Sequence, residues 1–236
     1  MTIEIPEYIF GEKVEGAIER ALAKAKQKEQ TPPTPPIETK DKDNFIYVPS
    51  VNLYFAKELS HLGKNWHEAH NLLQQEECKM PTIPEFIAFL KHLRTAPANQ
   101  EYQRIYNNIT EVRDPWRSEW LDADFKVINK ILHINYNHVL KNGALTPQNS
   151  EKLEDCLMEN KTPGISLDEW LSNPTLHGLP KKDISDGDLY YYTPRKDNNS
   201  VTRLDAGSGR VDLDCDRDAT YLSASLGVRR AKILGH

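Results

Sequence analysis

Apolar residues follow a helical period over residues 12–29, where Val14, Ala17, Ile18, Ala21, Leu22 and Ala25 take the i, i+3, i+4, i+7 spacing of one apolar stripe. Residues 1–30 are therefore read as an N-terminal amphipathic helix. The next stretch, TPPTPPIETKDKD, breaks that period. Its prolines favour an extended polyproline II chain and its charges favour solvent, so residues 31–43 read as a linker. From Asn44 the pattern becomes that of a globular domain, 44–236, which opens with the strand-like Phe45-Ile46-Tyr47-Val48 stopped by Pro49. A helical half follows. Thr82 and Glu85 carry a capping-box signature ahead of Phe86, Phe89, Leu90 and Leu93, with Pro84 tolerated in the first turn. Tyr102, Ile105, Tyr106 and Ile109 continue the helical period. Leu153, Cys156 and Leu157 suggest another helix, ended by Lys161-Thr162-Pro163-Gly164, and Ser166 with Glu169 caps a short one holding Trp170 and Leu171. Between them lies RDPWRSEWLDADF, whose Trp116, Trp120, Leu121 and Phe125 are expected at the aromatic centre of the core.

After Gly178-Leu179-Pro180 the period shortens to two. Leu189 to Tyr192, Val201 to Ala206, Arg210 to Cys215 and Val228 to Ile233 read as strands. Turn formers separate them at Asp197-Asn198-Asn199-Ser200 and Gly207-Ser208-Gly209, as does a loop from Asp216 to Ser225. No internal repeat is visible. The predicted fold class is α+β, with a helical first half and a β-rich C-terminal part.

With 236 residues, 38% of them hydrophobic, the chain can bury one sizeable core without a disulfide scaffold. Charged residues make up 28% and the mean hydropathy is -0.67. The longest apolar runs, such as Phe86 to Leu90, fall far short of the about 20 residues that a spanning helix needs, so no membrane span is expected. The N-terminus carries acidic residues where a secretory signal carries a basic and then an apolar stretch. No signal peptide is therefore expected, and the chain is assigned to the cytoplasm or a phage particle. Cys78, Cys156 and Cys215 are too far apart for a CxxC motif or a zinc knuckle and fit reduced thiols. Lys and Arg number 30 against 35 Asp and Glu, a formal net charge of -5, with no basic run longer than two residues. No nucleic-acid partner is expected, because phosphate binding needs clustered cations.

His67-Glu68-Ala69-His70, with His61 nearby, invites comparison with HExxH, which sets two histidines at i and i+4 so that both reach one zinc ion. Here the spacing is i+3, and the sequence supplies neither a third ligand nor a catalytic acid. The segment is read as a capped, partly exposed helix, and no metal or other cofactor is assigned. Asp212, Asp214, Asp216 and Asp218 recur at every second residue, which on a strand puts four carboxylates on one face and Leu213 and Cys215 on the other. The EF-hand register fails, since Arg217 stands where Gly is needed and Ser223 where the terminal Glu should be. The acidic row is read as a solvated or ligand-facing surface. GxSxG, Walker, GxGxxG and kinase motifs are absent, and Cys215 falls on the inward side, where an apolar environment makes a thiol inert. No catalytic residue is assigned, and a non-enzymatic role is expected.

Residues 187–232, GDLYYYTPRKDNNSVTRLDAGSGRVDLDCDRDATYLSASLGVRRAK, resemble the C-terminal variable region of diversity-generating retroelement target proteins, particularly those of archaea and small-genome microbes that end in a strand reading LGVR. The matching pieces are Ser200-Val201, Arg203, Ala206, Leu213, Cys215 and Leu226-Gly227-Val228-Arg229. The resemblance implies a C-type-lectin fold, related to formylglycine-generating enzymes, and a variable region at about residues 200–230 whose codons a mutagenic reverse transcriptase diversifies. On that reading Val201, Leu213, Cys215, Leu226 and Val228 hold the scaffold. Asp205, Gly207, Gly209, Asp212, Asp214, Asp216, Arg217, Asp218, Tyr221 and Ser223 form the ligand surface. Such a division is physically sound, because a surface substitution typically costs under about 0.5 kcal/mol whereas core changes cost several-fold more. The carboxylates point to a polar or basic ligand, a protein or another surface. One departure is that Ala219-Thr220 stands where a proline-containing turn is expected, and Tyr221 is almost the only aromatic of the surface. Two rivals are a fixed-specificity structural or assembly protein that self-associates through its N-terminal helix, and a formylglycine-generating-type oxidase, which uses a reactive cysteine pair where this region holds only Cys215.

Overall fold

In the computed structural model the described residues are 44–233, together with the backbones of two short strands, β1 (Tyr8–Ile9) and β2 (Glu12–Lys13), which pair antiparallel. Residues 8–9 and 12–13 are thus extended where a helix was expected; the remainder of that helix and the 31–43 linker lie outside the described residues.

In the main unit the predicted first strand forms as read. β3 (Phe45–Val48) turns at Pro49 to Asn52 into β4 (Leu53–Ala56), with Asn52 in the left-handed region at φ 53°, a conformation asparagine tolerates. Three capped helices follow. α1 (Trp66–Gln75) and α2 (Ile83–Arg94) each open with a reciprocal capping box, Asn65 with Glu68 and Thr82 with Glu85. The Asn99 side chain caps α3 (Gln100–Thr110), and Ser166 later caps the short α4 (Leu167–Ser172).

The β-rich part starts at Arg117, well before Gly178. β5 (Arg117–Ile128), β6 (Ile131–Lys141) and β7 (Ala144–Lys152) form a meander. Its two-residue turns are Asn129-Lys130 (φ 52° and 67°) and Asn142-Gly143 (φ 51° and 78°), the doubly left-handed geometry that matches strand twist. β5 carries no clean alternation in sequence because Ser118 to Phe125 are all buried, one face of the strand against each of two layers. The helix expected around Leu153 to Leu157 does not form. Tertiary partners take its backbone instead: Leu153 N donates to Leu132 O at 3.0 Å and Leu157 N to Pro180 O at 2.8 Å. The Lys161-Thr162-Pro163-Gly164 run lies in strand β8 (Lys161–Ile165). β9 (Leu189–Tyr192), β10 (Ser200–Ala206) and β11 (Val211–Asp218) match the expected strands closely, while Val228 to Ile233 is split into β12 (Leu226–Val228) and β13 (Ala231–Ile233) by Arg229-Arg230.

The result is an α+β fold dominated by sheet. An open sheet runs β7-β6-β5-β10-β11-β9-β8, and β12 lies parallel to the first half of β5. A second sheet, β13-β4-β3, joins the domain's first and last strands. On one side of β5, Leu121, Ala123 and Phe125 join Phe55, Phe86, Phe89, Ile105, Trp170 and Leu213 in the large core. On the other, Trp120 packs with Trp66, Leu73, Met80, Val201, Leu226 and Val228.

One buried ion pair ties these parts together. Arg229 grips Glu119 of β5 through Nε to Oε2 at 3.0 Å and Nη2 to Oε1 at 2.5 Å, and its Nη1 donates to the carbonyls of Ala56 and Lys57, each at 2.7 Å. The same guanidinium lies 5.3 Å from the Phe89 ring centroid. Removing one partner strands a charge in the interior, so Arg229→Ala should cost about 3–5 kcal/mol. The double variant Arg229→Met with Glu119→Gln should cost less than the sum of its single variants. Urea unfolding of the four chains checks this; additive losses would show that the pair is not coupled.

Candidate functional site

Strand alternation divides β9, β10 and β11 into two faces. Leu204, Leu213 and Tyr191 are register partners on the core side, and Cys215 is buried with them. On the other side Arg203 pairs with Asp214 and Asp205 with Asp212, and Tyr190 and Tyr192 flank Asp212 and Asp214 in turn. The structure therefore brings together Asp205, Asp212, Asp214, Asp216, Arg217 and Tyr221 of the expected surface.

It changes their character. Asp212 and Asp214 are buried, not a solvated row. Carboxylates at every second residue need cations between them, and these come from the neighbouring strand and from the β11 chain itself. Asp214 Oδ2 accepts from Arg203 Nε at 3.1 Å and from Arg217 Nε and Nη2 at 3.1 and 2.7 Å. Arg203 Nη2 lies 3.1 Å from Asp205 Oδ2, and Arg210 Nε donates to Asp212 at 3.1 Å. Aromatic rings lie against these guanidiniums: Tyr221 at 5.4 Å from Arg203 and 5.0 Å from Arg217, Trp116 at 5.9 Å from Arg203, and Tyr190 and Tyr192 at 5.3 and 5.7 Å from Arg210. Trp116 thus belongs to this face and not to the core centre.

The remaining expected residues surround this lattice. Gly207 and Gly209 sit at the β10–β11 hairpin tip, closed by Gly207 N to Arg210 O at 2.9 Å. Gly209 and Arg210 border a groove of about 690 Å³ shared with Asp168, Asp188 and Tyr190. The Asp218 carboxylate is spent on Thr220 N and Oγ1, both at 2.7 Å, and on Asn199 Nδ2 at 2.8 Å. Ser223 Oγ accepts from Ser225 N at 3.2 Å. Both shape the loop. Ala219, in place of the expected proline turn, is buried, and its carbonyl accepts from Trp66 N at 3.1 Å, which docks the loop on the start of α1.

Burial raises Asp205 and Asp212 above the usual carboxylate range. Burial pushes Asp214 the same way, but its hydrogen bond with Asp216 and the Arg203 and Arg217 charges outweigh that and hold it low. Asp216, half-buried beside the Asp214 charge, is pushed up to about 7, first by burial and then by that neighbour. Arg203 Nη1 and Asp205 Oδ1, both shielded from solvent, have no hydrogen-bond partner.

A second cluster lies between α1 and the β5–β6 pair. His67 is exposed and His70 is buried on the capped, partly exposed helix that the sequence suggests. His70 faces Asp122 of β5 and His138 of β6, neither of which the spacing analysis found. His138 Nδ1 lies 2.5 Å from Asp122 Oδ1, its Nε2 lies 3.5 Å from Asp124 Oδ1, and its backbone N donates to Asp122 Oδ2 at 3.0 Å. His70 Nε2 is 3.5 Å from Asp122 Oδ1. The Trp66 ring stands edge-on to both imidazoles, at 4.3 Å from His70 and 4.9 Å from His138. Burial drives His70 down to about 4, whereas His138, which burial alone would lower, is raised to about 9 by its hydrogen bonds to Asp122 and Asp124.

The Asp216 carboxyl is protonated more readily folded than unfolded. Its contribution to stability is therefore full below the ordinary carboxylate range near pH 4 and is lost as pH rises through about 7. Urea midpoints at pH 5 and pH 8 should fall more steeply for the unaltered chain than for Asp216→Asn; parallel slopes would contradict the shift.

Comparison of the chain with protein-family models, with curated proteins and with solved structures finds no match.

Proposed function

We propose that residues 44–236 form a C-type-lectin-like recognition module of the diversity-generating retroelement kind, with the Arg–Asp–aromatic face of β9, β10 and β11 as its ligand surface. One observation carries this reading: strands whose one side builds the core present on the other side a contiguous polar face with oriented groups. Leu226-Gly227-Val228 forms a strand beside the first half of β5. Three carboxylates, Asp205, Asp212 and Asp214, pair with three guanidiniums, Arg203, Arg210 and Arg217, and Asp216 stands beside Asp214, so the face is nearly balanced in charge. Its ligand is then polar, offering both donors and acceptors, more than simply basic. Arg203 Nη1, a donor, and Asp205 Oδ1, an acceptor, are held in place by neighbours and have no hydrogen-bond partner of their own. Tyr221, Tyr190, Tyr192 and Trp116 supply rigid amphipathic contact area of the kind paratopes use.

The face contains anchors and freer positions. Asp214 and Arg203 hold the lattice and Tyr221 is packed against Arg203, Arg217 and the smaller core, while Ser223 on the neighbouring loop bonds only within its own turn. The oxidase alternative finds less support, because Cys78, Cys156 and Cys215 are buried and burial raises the Cys215 thiol well above its usual range.

The decisive experiment is to sequence the DNA flanking the gene. A near-copy of the codons for residues 200–230 beside a reverse-transcriptase frame, mismatched only at template adenines, is the expected result. Its absence would leave a fixed-specificity domain. On the protein itself, Ser223→Ala should cost no more than about 1 kcal/mol, while Asp214→Ala, which removes the buried carboxylate shared by Arg203 and Arg217, should cost about 3–5 kcal/mol. Chemical denaturation measures the difference, and equal costs would remove the distinction between anchor and free position.

A further inference from the structure

We propose that His70, Asp122 and His138 form a binding site for a first-row divalent metal ion, with Zn²⁺ as its natural probe, independent of the recognition face. Two imidazoles and one carboxylate are a borderline nitrogen and oxygen donor set of the kind that zinc and its neighbours prefer over calcium or magnesium. The three residues come from three elements, α1, β5 and β6, so the fold itself creates the convergence.

The three ligand atoms face one another and are held from behind; His138 Nδ1 and Asp122 Oδ1, now 2.5 Å apart in a hydrogen bond, must separate by about 1 Å to admit an ion. His70 Nε2, Asp122 Oδ1 and His138 Nδ1 lie within 4.8 Å of one another. Ligands of a tetrahedral ion at about 2.0–2.2 Å stand about 3.3–3.6 Å apart, close to the 3.5 Å between His70 Nε2 and Asp122 Oδ1. His70 is 2% exposed and its Nε2 has no hydrogen-bond partner, which is costly for a buried imidazole unless a further group satisfies it. The Asp122 carboxylate is fixed by the His138 backbone N–H on Oδ2, leaving Oδ1 toward both rings. His138 presents Nδ1 to the centre while its opposite nitrogen, Nε2, faces Asp124 Oδ1 at 3.5 Å. That is the carboxylate–histidine–metal relay in which an outer carboxylate orients a ligating imidazole. The edge of Trp66 walls the site, and its indole N–H is already given to Leu121 O at 2.9 Å. On binding, the proton between His138 Nδ1 and Asp122 leaves to solvent and the ion takes its place. Asp124 is a positioning residue in this arrangement.

The full chain, stripped with chelator and dialysed against Zn²⁺ alone, should retain about one zinc per molecule and unfold at higher temperature than the stripped form. X-ray absorption of the loaded protein should show imidazole nitrogen and carboxylate oxygen around the metal. No retained zinc, or a sulfur shell indicating one of the cysteines, would overturn the site. His70→Gln and Asp122→Asn should each weaken zinc binding at least tenfold, Asp124→Asn should weaken it about 10- to 100-fold without changing the stoichiometry, and exposed His67→Ala should leave it unchanged. Retained affinity in folded His70→Gln, or its loss in His67→Ala, would equally refute the assignment. The spectroscopy on the unaltered chain decides the matter should a variant fail to fold.

Discussion

The bidentate grip of Arg229 on Glu119 is the contact on which the arrangement turns. A guanidinium is the one cation that can satisfy a buried carboxylate with two parallel bonds and still reach two backbone carbonyls, and Arg229 does both. It lies between β12, which lines the first half of β5, and β13, which completes the sheet begun by β3 and β4. Without it the C-terminal segment would have to cross the interior with an unpaired charge or give up one of those pairings. The stacked Phe55 and Phe89 rings and the Arg229 contact to Phe89 place the pair within the aromatic part of the large core.

From that fixed point β5 distributes roles by residue parity. Leu121, Ala123 and Phe125 feed the large core, whereas Trp120, Asp122 and Asp124 turn toward α1. The same strand thus supplies scaffold on one side and buried polar chemistry on the other. The neighbouring strands repeat the device farther along the sheet, with Leu204 and Leu213 inside and the Arg203–Asp214 lattice outside. Buried charged groups are tolerated at both places because each has an oppositely charged neighbour.

Local chemistry was legible in the sequence wherever it was self-contained. Both the Thr82–Glu85 capping box and the Ser166 cap formed, as did β3, β9 and the β10–β11 hairpin with its Gly-Ser-Gly turn. What escaped depended on neighbours distant in the chain. β5 has no alternation to read because both faces are covered, and Asp122 and Asp124 within EWLDADF were its one visible sign of a second, polar layer. The Asn142-Gly143 pair is a strong hairpin signal in the sequence and marks the β6–β7 turn of the meander. The row of aspartates was placed on the right face with the wrong solvation, since the arginines that neutralise it come largely from β10 and its turn. The aromatic part of that face comes from β9 and from Trp116, which no inspection of residues 200–223 alone could supply.

The sheet β13-β4-β3 carries a topological consequence. Because β4 separates the domain's first and last strands, these lie roughly 10 Å apart, two strand spacings, and run parallel to each other. Ile233 therefore lies level with Val48 and not with Phe45, so the two ends of the domain leave this sheet at opposite ends of its strands. Tension between them would load both pairings with β4 along the strands, straining their hydrogen bonds together and not one after another.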